Sequence, residues 1–360
     1  MTAADEKRLT NNEEKPMKMI HCGDIHLESP LSTNFDHATA LKRRNELLVS
    51  FIKMVKYAAD NRMSAILIAG DIFDTPDVSR ETLAIVMACI MKNPEITFIY
   101  LPGNHEKDVL LRAFSEMPAN LKVFSAEQKM FIVENVVVAH ADRPEELPTL
   151  YPGDMNIVMY HGEMDDARIR AWAGRNINYM ALGHYHSYSE GVIDPRGVYC
   201  YSGCLEGRGF DECGPKGFVV LDYENNTLNR YFVPSAVRTI HEIVIDVTGL
   251  GGIEKIDEEI EKRVDELPRE DMLKIVLKGS YLAGDSINTA FLQQRYNSMF
   301  FAVRVDASGI RLDMPEKDYR FDKSLKGEFI RQVMVSHDLS ESQKQMVVDM
   351  GLRALAGERL

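Results

Sequence analysis

The sequence predicts an α/β protein: a four-layer α/β/β/α sandwich followed by a small βαβαβ unit and two C-terminal helices. Three observations carry this expectation. Between Met17 and Tyr231, short apolar runs of strand length alternate with segments of helical period. The second half of that stretch is richer in strands than in helices. Near Pro234 the composition shifts, and Thr239 to Asp306 reads strand, helix, strand, helix, strand.

The elements follow in order. Met19 to Gly23 is a short strand, and Arg43 to Asn61 repeats Leu47, Leu48, Phe51, Ile52, Met54, Val55 and Ala58 at helical spacing. Ser64 to Ala69 is a second strand, Arg80 to Met91 a helix, and Ile96 to Leu101 a third strand. Strands are then expected at Phe131–Val133, Asn135–His140, Asn156–Tyr160, Tyr179–Leu182, Val198–Tyr201 and Gly217–Asp222. The βαβαβ unit comprises His241–Val247, Ile253–Glu266, Met272–Gly279, Ser286–Tyr296 and Phe300–Asp306. Two amphipathic helices close the chain, Ser324–Val335 and Ser340–Ala356, the second opened by the capping-box sequence Ser340-Glu341-Ser342-Gln343. The domains expected are a disordered tail over 1–16, a main domain over 17–234, the small unit over 235–322 and the helices over 323–360.

Composition narrows the function classes. The chain has 360 residues, 45% of them hydrophobic, enough to bury a sizeable core. No stretch approaches the roughly 20 apolar residues needed to span a bilayer, and the polar opening to Pro16 lacks a secretory pattern. The net charge of −13 excludes indiscriminate coating of nucleic acid, though not a local basic groove. Five cysteines, an odd number without a Cys-x-x-Cys pair, fit a reduced cytoplasmic setting and argue against a closed thiolate zinc site.

The chemistry lies in five segments: Asp24-Ile25-His26, Gly70-Asp71-Ile72-Phe73-Asp74, Gly103-Asn104-His105-Glu106, His161-Gly162 and Gly183-His184-Tyr185-His186. Each follows an apolar strand. In an open α/β sheet the carboxyl ends of the strands are where ligands collect. Carboxylate and imidazole donors together suit Mn, Fe or Zn, with Mg also possible. A carboxylate such as Asp71 can bridge two ions, and two ions roughly 3.5–4 Å apart suit an in-line phosphoryl displacement. Each segment alone is a weak signal; their joint occurrence at strand ends is specific. His140 also ends an apolar strand, and is expected to be a partly buried histidine bonded to backbone rather than part of the site.

Together these blocks resemble the signature of the calcineurin-like metallophosphoesterase superfamily, over about Met17 to Tyr231. The resemblance implies two divalent ions, most simply Mn2+, with Asp24, His26 and His186 on one, Asn104, His161 and His184 on the other, and Asp71 between them. It further implies that His105 stabilises the transition state or protonates the leaving oxygen, with Asp74 and Glu106 orienting the groups around them. Within the superfamily the chain is similar to SbcD-type DNA repair exonucleases, in His21 to Leu27, Gly70 to Pro76 and Tyr201-Ser202-Gly203-Cys204. That family usually has Tyr-Pro-Gly-Ser at the last position. The closer resemblance implies DNA as substrate, a DNA-capping role for the βαβαβ unit, an SbcC-type ATPase partner engaged by the C-terminal helices, and a homodimer. Two other readings stay open on the sequence: a phosphodiesterase or phosphatase acting on nucleotides or small phosphoesters, and a non-catalytic partner-binding scaffold.

Overall fold

The computed structural model describes residues 17–103, 109–114, 116–282, 287–313 and 319–355. The tail expected over 1–16 lies outside them. The chain divides into two compact units, the first reaching Thr239 and the second beginning at Ile240.

The first unit opens with β1 (Met17–Cys22), buried along almost its whole length. Helix α1 (His37–Asp60) follows, capped by Asp36, whose carboxylate accepts from the Thr39 backbone N–H at 3.0 Å. Then come β2 (Ala65–Ala69), α2 (Arg80–Met91), β3 (Thr97–Leu101), α3 (Val109–Ala113) and β4 (Leu121–Val123). A second run supplies β5 (Met130–Val133), β6 (Val136–His140), β7 (Met155–His161), α4 (Asp166–Ala171), β8 (Tyr179–Gly183), β9 (Ser189–Val192) and β10 (Val198–Tyr201). Finally β11 (Gly217–Glu224) and β12 (Thr227–Pro234) form an antiparallel hairpin that returns to the first sheet.

Two six-stranded sheets result, in the orders β12-β11-β1-β2-β3-β4 and β5-β6-β7-β8-β10-β9. The pairs β1–β2, β2–β3, β3–β4, β6–β7, β7–β8 and β8–β10 are parallel, so their carboxyl ends share an edge in each sheet. Three apolar layers separate four structural ones. Ile20, Ile66, Ile68 and Phe98 pack beneath α1 and α2 with Leu47, Phe51 and Val86. Met19, Leu67 and Ile99 meet Val138, Ile157 and Ala181 between the sheets. Val158, Met180 and Leu182 pack with Ile169 of α4 and Trp172 on the far face. This is the expected α/β/β/α sandwich. Alternate side chains of the inner strands face opposite layers, so strands buried on both faces read as nearly continuous apolar runs.

The second unit is a three-stranded parallel sheet, β13 (Ile240–Asp246), β14 (Met272–Leu282) and β15 (Ala302–Asp313), with crossover helices α5 (Ile253–Val264) and α6 (Thr289–Asn297). Ile256, Ile260 and Val264, four residues apart on α5, bury against Ile275 and Leu277 of the sheet. Helices α7 (Leu325–Met334) and α8 (Glu341–Leu355) pack on one another through Ile330, Val333 and Val348. No helix among the described residues is long and apolar enough to cross a membrane.

Candidate metal centre

The loops after β1 and β2 are zipped together by backbone hydrogen bonds. Ile25 and His26 N–H both donate to the Asp71 carbonyl, at 2.8 and 3.0 Å, and Leu27 N–H donates to the Ile72 carbonyl at 2.8 Å. This brings Asp24 and His26 beside Asp71. From the second sheet, β7 ends on His161, and the loop after β8 carries His184 and His186. Asp24, His26, Asp71 and His184 all have positive φ, between 48° and 116°. Non-glycine residues adopt that conformation at a cost, and it clusters where function holds it in place. The glycines in the blocks have steric reasons. A Cβ at Gly70 would strike the His161 imidazole, and one at Gly183 would strike the Ala69 carbonyl oxygen.

Two donor sets form. Asp24, His26 and His186 offer ligand atoms within 4.8 Å of one another, and so do Asp24, Asp71 and His161. The Nε2 atoms of His26 and His186 approach to 3.3 Å. Two imidazole lone pairs that close repel one another, and a divalent ion between them would relieve the repulsion. Oδ2 of Asp71 lies 3.2 Å from His161 Nε2 and 3.9 Å from His26 Nε2, so one oxygen lies within 4 Å of a histidine of each set. Both oxygens of the buried Asp24 accept from the His184 backbone N–H, at 3.0 and 2.8 Å. The His184 ring stands edge-on to that of His161, centroids 5.9 Å apart.

The electrostatics ask for a cation. Burial raises the Asp24 carboxyl above its usual range despite the facing histidines. Burial lowers His26, against the pull of Asp74. At His161 burial also lowers the value, yet the Asp71 hydrogen bond, the Ala69 carbonyl and the charges of Asp24 and Asp71 outweigh it and raise it to about 9. The site thus draws positive charge onto His161. Carboxylate oxygens and imidazole nitrogens, with no thiolate, fit hard to borderline divalent ions.

The structure therefore brings together Asp24, His26, Asp71, His161 and His186, with His184 alongside. Asn104, His105 and Glu106 lie outside the described residues. Asp74 stands behind His26, its Oδ1 3.0 Å from Nδ1. His140 is held on the backbone, with Nδ1 3.0 Å from the Met159 carbonyl oxygen. Two further residues escaped the sequence reasoning. Glu212 Oε1 sits 2.7 Å from His186 Nδ1, and Arg208 lies between Glu212 and Asp74. They occupy the irregular loop before β11, where no strand-end pattern flags them.

The calcineurin-like phosphoesterase family model matches residues 17–205, just over half of the chain. The chain belongs to the calcineurin-like phosphoesterase family. The family and the donor set together make it a metal-dependent phosphoesterase, a hydrolase. Among curated proteins it is similar to the DNA double-strand break repair protein Mre11 of several organisms. Identity is 23% with that of Haloferax volcanii, over 94% of this chain and 75% of the relative. It is 22% with that of Saccharolobus solfataricus, over 93% and 94%. It is 22% with that of Methanosarcina acetivorans, where the match spans 62% of this chain and only 39% of the relative. Solved structures that match include a protein of Thermus thermophilus (11% identity, 61% of this chain and 99% of that one, TM-score 0.40). A dimetal phosphatase from Danio rerio also matches (10% identity, 58% and 93%, TM-score 0.39).

Proposed function

We propose that this chain is a two-metal DNA nuclease of the SbcD type, an exonuclease or endonuclease acting in DNA repair in the cytoplasm. The observation that carries the reading is the position of Asp71 Oδ2, within 4 Å of a ring nitrogen of each donor set. In this reading Asp24, His26 and His186 hold one ion, Asn104, His161 and His184 the other, and Asp71 is shared. Ions held by these residues, Mn2+ by preference, would supply Lewis acidity at the phosphoryl oxygens and would lower the pKa of water. In this reading Asp74 fixes the ring of His26 through Nδ1, Glu106 is a further orienting group, and His105 would stabilise the transition state or protonate the leaving oxygen. DNA as substrate is supported by the likeness to double-strand break repair proteins. The region 235–322 would cap the DNA. The helices of 323–360 would engage an SbcC-type ATPase, within which the chain forms a homodimer.

The test is hydrolysis of labelled DNA beside bis(p-nitrophenyl) phosphate, with Mn2+ and after chelation. Cleavage of both substrates, lost on chelation, is expected. Cleavage of the diester alone would move the substrate to nucleotides or small phosphoesters, and cleavage of neither would leave a scaffold.

A further inference from the structure

Behind the two histidines whose Nε2 atoms meet lies a single arginine. Arg208 Nη1 donates to Asp74 Oδ1 at 2.9 Å. Its Nε and Nη2 donate to Glu212 Oε1 at 3.1 and 3.0 Å, and its backbone N–H donates to Glu212 Oε2 at 2.7 Å. The two carboxylate oxygens reached by the guanidinium are the same two that face the imidazoles. Asp74 Oδ1 is 3.0 Å from His26 Nδ1, and Glu212 Oε1 is 2.7 Å from His186 Nδ1.

We propose that Arg208 is a positioning residue that holds His26 and His186 in the metal-accepting tautomer by fixing both of their carboxylate partners at once. The inference rests on the metal-centre reading above and deepens it. A carboxylate at Nδ1 keeps the ring proton there and leaves the Nε2 lone pair for a ligand. Arg208 Nη2 also lies 3.0 Å from His186 Nδ1. A guanidinium only donates, so a bond from it to Nδ1 would force the proton onto Nε2 and block the site. Glu212, closer at 2.7 Å, accepts from Nδ1–H instead. The planar fork of arginine spans two carboxylates, which the point charge of lysine cannot do. Three of its five N–H donors go to Asp74 and Glu212.

The loop is anchored for this task. Glu206 is buried and accepts from Arg43 at 2.8 Å and from Ser50 Oγ at 2.7 Å. Arg43 also donates to the Gly207 carbonyl at 2.6 Å. The backbone entering Arg208 is thereby pinned to α1. The other donor set is held differently. His161 Nδ1 lies 2.8 Å from the Ala69 carbonyl oxygen, a backbone contact that owes nothing to Arg208. The clamp therefore acts on one ion and spares the other.

The experiment uses the full chain, freed of metal and titrated with Mn2+ by calorimetry, with bound metal counted after gel filtration. Arg208→Gln should weaken one of two ions by about 10–100-fold, the usual cost of losing a group that orients a ligand. The second ion should bind as in the wild type. Arg208→Lys should not rescue the loss. In the metal-free protein, 15N NMR should find the His26 and His186 protons on Nδ1, and a mixture of tautomers in Arg208→Gln. His186→Gln is the benchmark. If it keeps both ions, the metal-centre reading fails. If it loses one while Arg208→Gln binds two ions with wild-type affinity, the clamp alone is overturned. Should Arg208→Gln melt out, Glu212→Gln replaces it, with loss of one ion supporting the clamp and retention of both overturning it.

Discussion

Both units of this chain contain parallel strands joined by crossover helices, but they use their strand ends differently. In the first unit the ends of β1, β2, β7 and β8 deliver Asp24, His26, Asp71, His161, His184 and His186 to one place. Four of these residues have positive φ, and Asp24, His26 and Asp71 are buried. In the second unit the polar groups near strand ends serve local turns. Asp246, the last residue of β13, accepts from the Thr248 N–H at 3.0 Å. No non-glycine residue of that unit has positive φ among the described residues. The carboxyl edge of a parallel sheet offers a place for a ligand. Buried charge and strained backbone mark the edge that takes the offer.

The largest expected effect breaks that contrast at its centre. Asp71→Asn removes the charge that stands beside His26 and His161, one histidine of each donor set. It should lower metal content and abolish hydrolysis together, beyond the roughly 10–100-fold cost of losing an orienting group. Full metal content with wild-type turnover would reduce Asp71 to a structural carboxylate. His105→Ala comes next. It should keep both metals and lose activity by about 10²-fold or more, the scale of a lost general acid. Metal analysis decides here too, since a loss of metal would move His105 into the ligand set.

How much of this was legible in the sequence follows from the same contrast. The strand-end blocks were readable because fully buried strands are continuous apolar runs, and a polar residue directly after one stands out. The sandwich followed from those runs. Glu212 and Arg208 were not readable, because they act from a loop through contacts 26 and 134 residues distant in sequence, at His186 and Asp74. Helix α1 starts at His37, well before Arg43, where the apolar period first shows. Its buried face there carries Arg43 and Glu46, and Arg43 is buried because Glu206 pairs with it at 2.8 Å. Strand β9, Ser189-Glu190-Gly191-Val192, is an exposed edge and carries no hydrophobic pattern.

The third prediction sharpens the comparison from the other side. Leu277 is fully buried in the second unit. Leu277→Ala should cost about 2–5 kcal/mol of that unit's stability, as large-to-small core changes do. Metal stoichiometry should not change. A chain ending at Thr239 extends the test: hydrolysis of bis(p-nitrophenyl) phosphate should persist while DNA cleavage falls. Equal loss on both substrates would make the second unit part of the enzyme's core rather than a cap.

The smallest expected change in stability, and the sharpest question about a partner, lies in α7 and α8. Both helices carry apolar residues at helical spacing, which from sequence alone could face inward or outward. The structure divides them. Ile330, Val333 and Val348 are buried in the contact between the helices, whereas Met346 and Met350 are 62% and 46% exposed. An exposed apolar stripe on an otherwise charged surface is how a helix offers itself to a groove. Replacing both exposed methionines, Met346→Asp with Met350→Asp, leaves the cluster of Ile330, Val333 and Val348 in place. Stability should therefore stay within about 0.5 kcal/mol, as for ordinary surface changes. Ile330→Ala, by contrast, should cost about 2–5 kcal/mol. If the outward stripe engages an SbcC-type ATPase, the double aspartate variant should fold normally and fail to co-purify with it, while Ile330→Ala loses stability first. Survival of the complex would place the ATPase elsewhere on the chain. Destabilisation by the aspartates on the scale of Ile330→Ala would show that Met346 and Met350 are covered by this chain itself.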